Sequence, residues 1–105
     1  MPFVEFEGQI FNTDEDGFLD DFNSWNETWV QYVKKNEGIT NVTENHRRVI
    51  QVLQDCYKRN GTAPRMGILT RATGFRLKYI YELFPSGPGK GACRMAGLPK
   101  PKGCV

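Results

Sequence analysis

A mainly α-helical fold with a small N-terminal β-hairpin is what this sequence predicts, and three observations predict it. Apolar residues recur at helical spacing in several separate stretches between Trp25 and Phe84. One short stretch, Val4 to Phe11, alternates instead around a glycine-containing turn. From Phe84 onward the chain is dense in Gly, Pro and Lys, a composition suited to an arm and not to a core layer. With 105 residues in all, one domain is expected: a compact body over residues 1–92 and an arm over residues 93–105.

The hairpin over Val4-Glu5-Phe6-Glu7-Gly8-Gln9-Ile10-Phe11 is too small to stand in water alone and must lean on helices. Thr13-Asp14-Glu15-Asp16-Gly17 reads as a solvated acidic turn. Its carboxylates resemble a calcium loop only superficially, because the ligand spacing that ends in a glutamate at the twelfth position is absent. Trp25, Trp29 and Val33 fall four apart on one face of a helix that starts near Ser24 or Asn26 and stops at Gly38. Thr43 caps a second helix, with Val49, Ile50, Leu53, Cys56 and Tyr57 on one side and Arg47, Arg48, Gln51, Asp55 and Lys58 on the other, ended by Asn60-Gly61. Cys56 belongs to the apolar face and reads as a buried, inert thiol.

Pro64 opens a short helix from about Arg65 to Ala72 with Met66 and Leu69 inward, and Thr73-Gly74 breaks it. Leu77, Ile80, Tyr81 and Phe84 then form one apolar stripe, ended by Pro85. These two helices, with Arg65, Arg71, Arg76 and Lys78 outside, have the pattern of a helix-turn-helix. Pro85 to Lys90 is expected to be irregular, and Gly91 to Ala96 to form one or two helical turns placing Cys93 against the body.

Charge excludes some classes. A net charge of +2 with 25% charged residues is far from the basic balance of a dedicated nucleic-acid binder. No basic-then-apolar leader follows Met1, and no run approaches the roughly 20 apolar residues of a membrane span, so the cytoplasm is the expected compartment. There, lasting disulfides are rare and transient ones are catalytic or redox-sensing. Three cysteines, an odd number, also argue against a disulfide framework.

Cys93 and Cys104 are the residues that carry chemistry in this reading. Ten residues separate them, among them Gly97, Pro99, Pro101 and Gly103, which make a stiff extended stretch with a bend at either side. A disulfide needs Cα atoms about 5.5 Å apart, a distance that such an arm reaches by folding back. Cys104 is the exposed thiol, expected to enter another protein's active site, and Cys93 the resolving thiol. Lys90, Arg94, Lys100 and Lys102 give the arm a positive charge suited to an anionic substrate or an acidic partner entrance. No metal site is expected: C-x-x-C is absent, and His46 is the sole histidine, in a helix first turn where a surface or capping role is favoured.

The chain resembles the DsrC/TusE sulfur-carrier family over essentially its whole length. The resemblance is carried by Asp14-Glu15-Asp16-Gly17-Phe18-Leu19, by Glu37-Gly38-Ile39, by Leu83-Phe84-Pro85-Ser86-Gly87-Pro88-Gly89-Lys90-Gly91-Ala92-Cys93, and by Ala96-Gly97-Leu98-Pro99-Lys100-Pro101 leading to Cys104. It implies an orthogonal helical bundle with an N-terminal hairpin and a flexible C-terminal arm. It also implies a role as redox-active co-substrate of dissimilatory sulfite reductase. Cys104 would receive partly reduced sulfur at the sirohaem of the alpha and beta subunits, and Cys93 would close a Cys93-S-Cys104 trisulfide. A membrane-bound thiol reductase complex would then return both thiols. Sirohaem and the iron-sulfur cluster would belong to the partner subunits, with no cofactor bound by this chain. Relatives in tRNA-thiolation relays keep only the later thiol, so the presence of both favours the sulfite-reduction branch. A DNA-binding regulator built on the Arg65 to Phe84 helices is the competing reading from another class, and the near-neutral charge counts against it.

Overall fold

The computed structural model describes residues 2–101. The expectations placed on Lys102 and Cys104 therefore lie outside the described residues. The architecture is mostly helical, with a two-stranded antiparallel hairpin at its N-terminal end.

Strands β1 (Phe3–Phe6) and β2 (Gln9–Asn12) pair with Val4 opposite Phe11 and Phe6 opposite Gln9. Glu7 and Gly8 join them, both at positive φ (51° and 76°), which matches the right-handed twist of the strands. The hairpin leans on helix α1 (Glu27–Glu37), with the Phe6 ring 5.6 Å from Tyr32 and the Phe11 ring 5.3 Å from Trp29. Between hairpin and helix, the Asp14 carboxylate accepts from the Asp16 and Phe18 amides at 2.9 and 3.0 Å and closes the acidic turn, after which Phe18 and Leu19 enter the core.

Asn26 caps α1 by accepting from Trp29 N at 3.0 Å, and Gly38 ends it in the left-handed region. Trp25 stands ahead of the cap in extended backbone, so the expected Trp25, Trp29, Val33 face begins two residues before the helix. Helix α2 (Glu44–Asn60) is capped by Thr43 and buries Val49, Ile50, Leu53 and Cys56, while Tyr57 is half-buried with its ring 5.2 Å from Phe22. His46 shares in the cap but is buried, at 6% exposure, and not on the surface.

Helices α3 (Met66–Thr73) and α4 (Leu77–Leu83) form the expected pair about Gly74, with Arg65, Arg71, Arg76 and Lys78 exposed. The expected stripe on α4 is only half right. Ile80 and Phe84 are buried together with Leu83, whereas Leu77 and Tyr81 are 40% and 42% exposed. A helix of two turns at the edge of the body turns one narrow face inward, and the i+3/i+4 row through Ile80, Leu83 and Phe84 takes it.

The larger departure follows Pro85. In place of an irregular stretch, Pro88–Cys93 forms a π-helix, and the helical path continues through Arg94 and Met95. Pro88 sits in the first turn, where its missing N–H costs nothing. The chain then stays inside the core: Ala92, Met95, Ala96 and Leu98 are fully buried and Cys93 is 2% exposed. The division expected between residues 92 and 93 thus falls within the packed cluster that also holds Trp29, Leu53 and Ile80, because these small and apolar side chains fill the space the hairpin and α2 leave open. Pro99 and Lys100 are the first exposed residues beyond it.

Candidate functional site around Cys93

Cys93 ends the π-helix, and its backbone is tied down on both sides. Leu98 N donates to the Cys93 carbonyl at 3.0 Å and Gly97 N to the Arg94 carbonyl at 3.1 Å, with Gly97 at φ 81°. These two bonds and a left-handed glycine make a Schellman closure. Gly97 cannot be replaced without loss, since a Cβ there would stand 2.7 Å from the Trp25 ring. The bend foreseen at Gly97 is present, but it is locked against the indole and does not act as a free hinge.

Three side chains from distant elements hold the carbonyls that follow Cys93. Trp29 Nε1 donates to the Arg94 carbonyl at 2.7 Å, Trp25 Nε1 to the Met95 carbonyl at 2.8 Å, and Gln54 Nε2 to the Ala96 carbonyl at 2.9 Å. A helix end leaves such carbonyls without intrahelical partners, and burial makes each one costly unless a donor reaches it. The tryptophans were legible in the sequence as core residues only. The available signal was that a buried indole needs an acceptor for its N–H.

Beside Cys93, Arg94 faces Glu37, the last residue of α1. The guanidinium lies 3.6 Å from the Glu37 carboxylate, whose side chain is only 3% exposed. A carboxylate at a helix C-terminus is badly placed against the helix dipole. Glu37 is held there by Ser86, which donates its backbone N–H at 3.0 Å and its hydroxyl at 2.6 Å. Gly91 makes room for this carboxylate, since a Cβ at that position would be 2.8 Å from Glu37 Oε1 and 2.9 Å from Phe84 Cβ. Glu37 was visible in the sequence only within a short motif and carried no role there.

Lys90, Arg94 and Lys100, expected with Lys102 as the basic set for an anionic target, line one cavity of about 230 Å³ together with Asp16, Phe18 and Ser86. Lys100 Nζ reaches Asp16 Oδ2 at 3.0 Å, so the segment leaving the core crosses the acidic turn. A larger open groove of about 660 Å³ between the hairpin and α1 is bordered by Phe6, Glu27, Gln31, Lys35 and Ile39 and, among the described residues, by no thiol and none of the expected site residues.

His46 and Cys56 are buried and do not line the basic cavity. Thr43 N donates to His46 Nδ1 at 3.0 Å, which leaves Nε2 to carry the proton and donate to the Leu83 carbonyl at 2.8 Å. Burial lowers the His46 pKa below its ordinary value, against a smaller raising effect of the Leu83 bond. Cys56 is buried on α2, with Asn60 Nδ2 donating to its sulfur at 3.4 Å. Among the described residues no cluster of His, Cys, Asp and Glu is able to hold a metal ion, and no helix is long and apolar enough to cross a membrane.

Comparison with known proteins places this geometry among relatives. Residues 5–105 match the family model described as DsrC like protein. The chain is 58% identical over 105 residues, all of both chains, to a Nitratidesulfovibrio vulgaris protein named sulfite reductase, dissimilatory-type subunit gamma. It is 37% identical to the Yersinia pseudotuberculosis protein named sulfurtransferase TusE, over 97% of this chain and all of that one. Among solved structures it resembles a chain of the crystal structure of dissimilatory sulfite reductase I, with a TM-score of 0.93 and 60% identity over 99% of this chain and all of that one. The oxidized gamma subunit (DsrC) from Archaeoglobus fulgidus matches with a TM-score of 0.85 and 39% identity, again over 99% of this chain and all of the other.

Proposed function

This chain belongs to the DsrC family, and from that premise we propose that it is a sulfur carrier, the gamma-type co-substrate of a dissimilatory sulfite reductase, with Cys93 and Cys104 as its working thiols. The observation that carries the reading is the setting of Cys93: at the end of a π-helix, with five hydrogen bonds holding the backbone that follows it and a basic cavity alongside. π-Turns of this kind often mark functional positions. A fixed thiol at that point is suited to receive what a second thiol brings to it.

Cys104 takes up a partly reduced sulfur atom at the reductase, and Cys93 attacks it. The two thiols each lose a proton and together pass two electrons to the incoming sulfur, which becomes the bridging atom of a Cys93-S-Cys104 trisulfide. Four electrons and four protons from a thiol reductase then return both thiols and release sulfide. Lys90, Arg94, Lys100 and Lys102 serve anionic substrate or partner contacts. Sirohaem and the iron-sulfur cluster reside in the alpha and beta subunits, the regenerating reductase is a membrane-bound complex, and the carrier itself works in the cytoplasm.

Incubation with sulfite, the reductase and an electron donor that supplies the reductase with the first two electrons, followed by mass spectrometry, tests the proposal. A gain of one sulfur with loss of two hydrogens, about 30 Da over the dithiol, bridging Cys93 and Cys104 and lost in Cys104→Ala, is the expected result. Absence of transfer refutes it. The relatives named sulfurtransferase TusE support a second reading, a relay that hands persulfide sulfur toward tRNA thiolation. There Cys93→Ala leaves transfer intact, whereas the trisulfide route requires Cys93.

A further inference from the structure

We propose that the cavity between the acidic turn and the π-helix is a subsite for a small sulfur oxyanion, with Arg94 at its centre and Lys90 and Lys100 at its sides. The inference deepens the sulfur-carrier reading by naming what the basic residues beside Cys93 bind.

Charge is the first argument. Lys90, Arg94 and Lys100 line the cavity against one lining carboxylate, Asp16, and one behind it, Glu37. Both carboxylates are already engaged. Glu37 accepts two hydrogen bonds from Ser86, and Asp16 holds Lys100 in a half-exposed pair. Lys90 is exposed and has no ion-pair partner among the described residues.

Arg94 supplies the second argument. Its side chain is 19% exposed, yet its one ion pair, with Glu37, is 3.6 Å long, well beyond the 2.7–2.9 Å of a good charged hydrogen bond. Its Nε is buried with no acceptor among the described residues. Buried donors without partners are rare, and each calls for a reason such as a bound ion or water. A guanidinium offers five N–H groups in a planar fork that matches oxyanions bidentately, and here most of them are unspent.

Size and neighbourhood settle the class of ligand. About 230 Å³ holds a three- or four-oxygen anion with a few waters, each taking about 30 Å³, and is too small for a folded peptide segment. The cavity adjoins the residue after Cys93 and is crossed by Lys100 on the segment that leaves the core, so an anion there draws Lys100 away from Asp16 and is felt at the root of the arm.

The test uses the full chain alone, reduced with dithiothreitol, with no reductase present. Sulfite and its unreactive analogue sulfate are titrated at constant ionic strength against chloride, following the Arg94 Nε–H and Ser86 amide resonances by NMR. Saturable shifts with sulfite and sulfate but not chloride are expected, with affinity falling at least tenfold in Arg94→Gln and severalfold in Lys90→Ala. Lys90 is exposed, so Lys90→Ala keeps the test open should Arg94→Gln fail to fold. Shifts that track ionic strength alone, or binding that survives unchanged in Lys90→Ala and Lys100→Ala, overturn the proposal. Sulfur transfer to the thiols is read separately by mass, so either idea can fail without the other.

Discussion

Replacing Gly91 with alanine sets two effects of opposite sign against each other. In a helical segment, Gly→Ala stabilises by about 0.5–1 kcal/mol, because the unfolded chain has less freedom to lose. At Gly91 the added methyl would stand 2.8 Å from Glu37 Oε1 and 2.9 Å from Phe84 Cβ, both closer than real contacts allow. Phe84 is fully buried and Glu37 is held by Ser86, so neither neighbour moves freely. Overpacking of this kind costs about 1–3 kcal/mol. Pushing the carboxylate off Ser86 adds about 1.5–3 kcal/mol for a charged hydrogen bond, if both bonds do not survive the shift. The clash wins: with the Ser86 bonds kept, a net loss of about 0.5–2 kcal/mol is expected, and more with them broken.

Gly67→Ala is the control. It also lies in a helix, α3, but a Cβ there meets nothing within 4 Å, so the propensity gain stands alone. Urea unfolding followed by tryptophan fluorescence separates the two. With a slope of roughly 1–2 kcal/mol per molar urea for a chain of this size, the Gly91→Ala midpoint falls by about 1 M and the Gly67→Ala midpoint rises by about 0.5 M. Midpoints that rise together would show that the wall of Glu37 and Phe84 around the π-helix is not rigid, and the packing argument would fail.

Trp29→Phe keeps most of the apolar volume but removes one of the two donors to the Arg94 carbonyl, leaving it to Gly97 N alone; a loss of about 0.5–1.5 kcal/mol is expected, with faster hydrogen exchange at the Leu98 amide as the local readout. His46 predicts a pH dependence. Its folded pKa lies below the ordinary value near 6.5, so the unfolded chain takes up the proton first. Its contribution is therefore whole above about pH 6.5 and drains away as pH falls from there toward the folded value, at up to about 1.4 kcal/mol per pH unit. His46→Gln should flatten the urea midpoint between pH 7 and 5.5, and a slope unchanged by that substitution would assign the titration elsewhere. Cys56→Ala should leave the sulfur mass gain unaltered, because Cys56 is buried on α2 and sits outside the Cys93 setting; loss of transfer in that variant would contradict the structural role given to it here.

Elements bounded by local chemistry were readable in advance. Asn26 and Thr43 cap their helices, Gly38 and Gly61 end them, and the α2 face carrying Val49, Ile50, Leu53 and Cys56 is buried, because caps and periodicity act within a turn or two of chain. The stripe through Leu77 and Tyr81 misled because period shows which side chains share a face and not whether anything covers that face. Pro88–Cys93 misled in the other direction. A stretch rich in Gly and Pro looks irregular until Glu37 and Phe84 are brought against Gly91, and only glycine lets them approach.

From its residues alone, this chain declared a helical body with a hairpin, two thiols in a Gly, Pro and Lys setting, and a family. What it did not declare is where the first of those thiols stands. Trp25, Trp29 and Gln54 reach carbonyls 70, 65 and 42 residues away, and Ser86 meets Glu37 across 49. Such bonds leave no local trace, since each partner obeys only its own neighbourhood until the core closes. Tertiary packing decided that Cys93 is a fixed point inside the body, with the basic residues gathered into one cavity at its side.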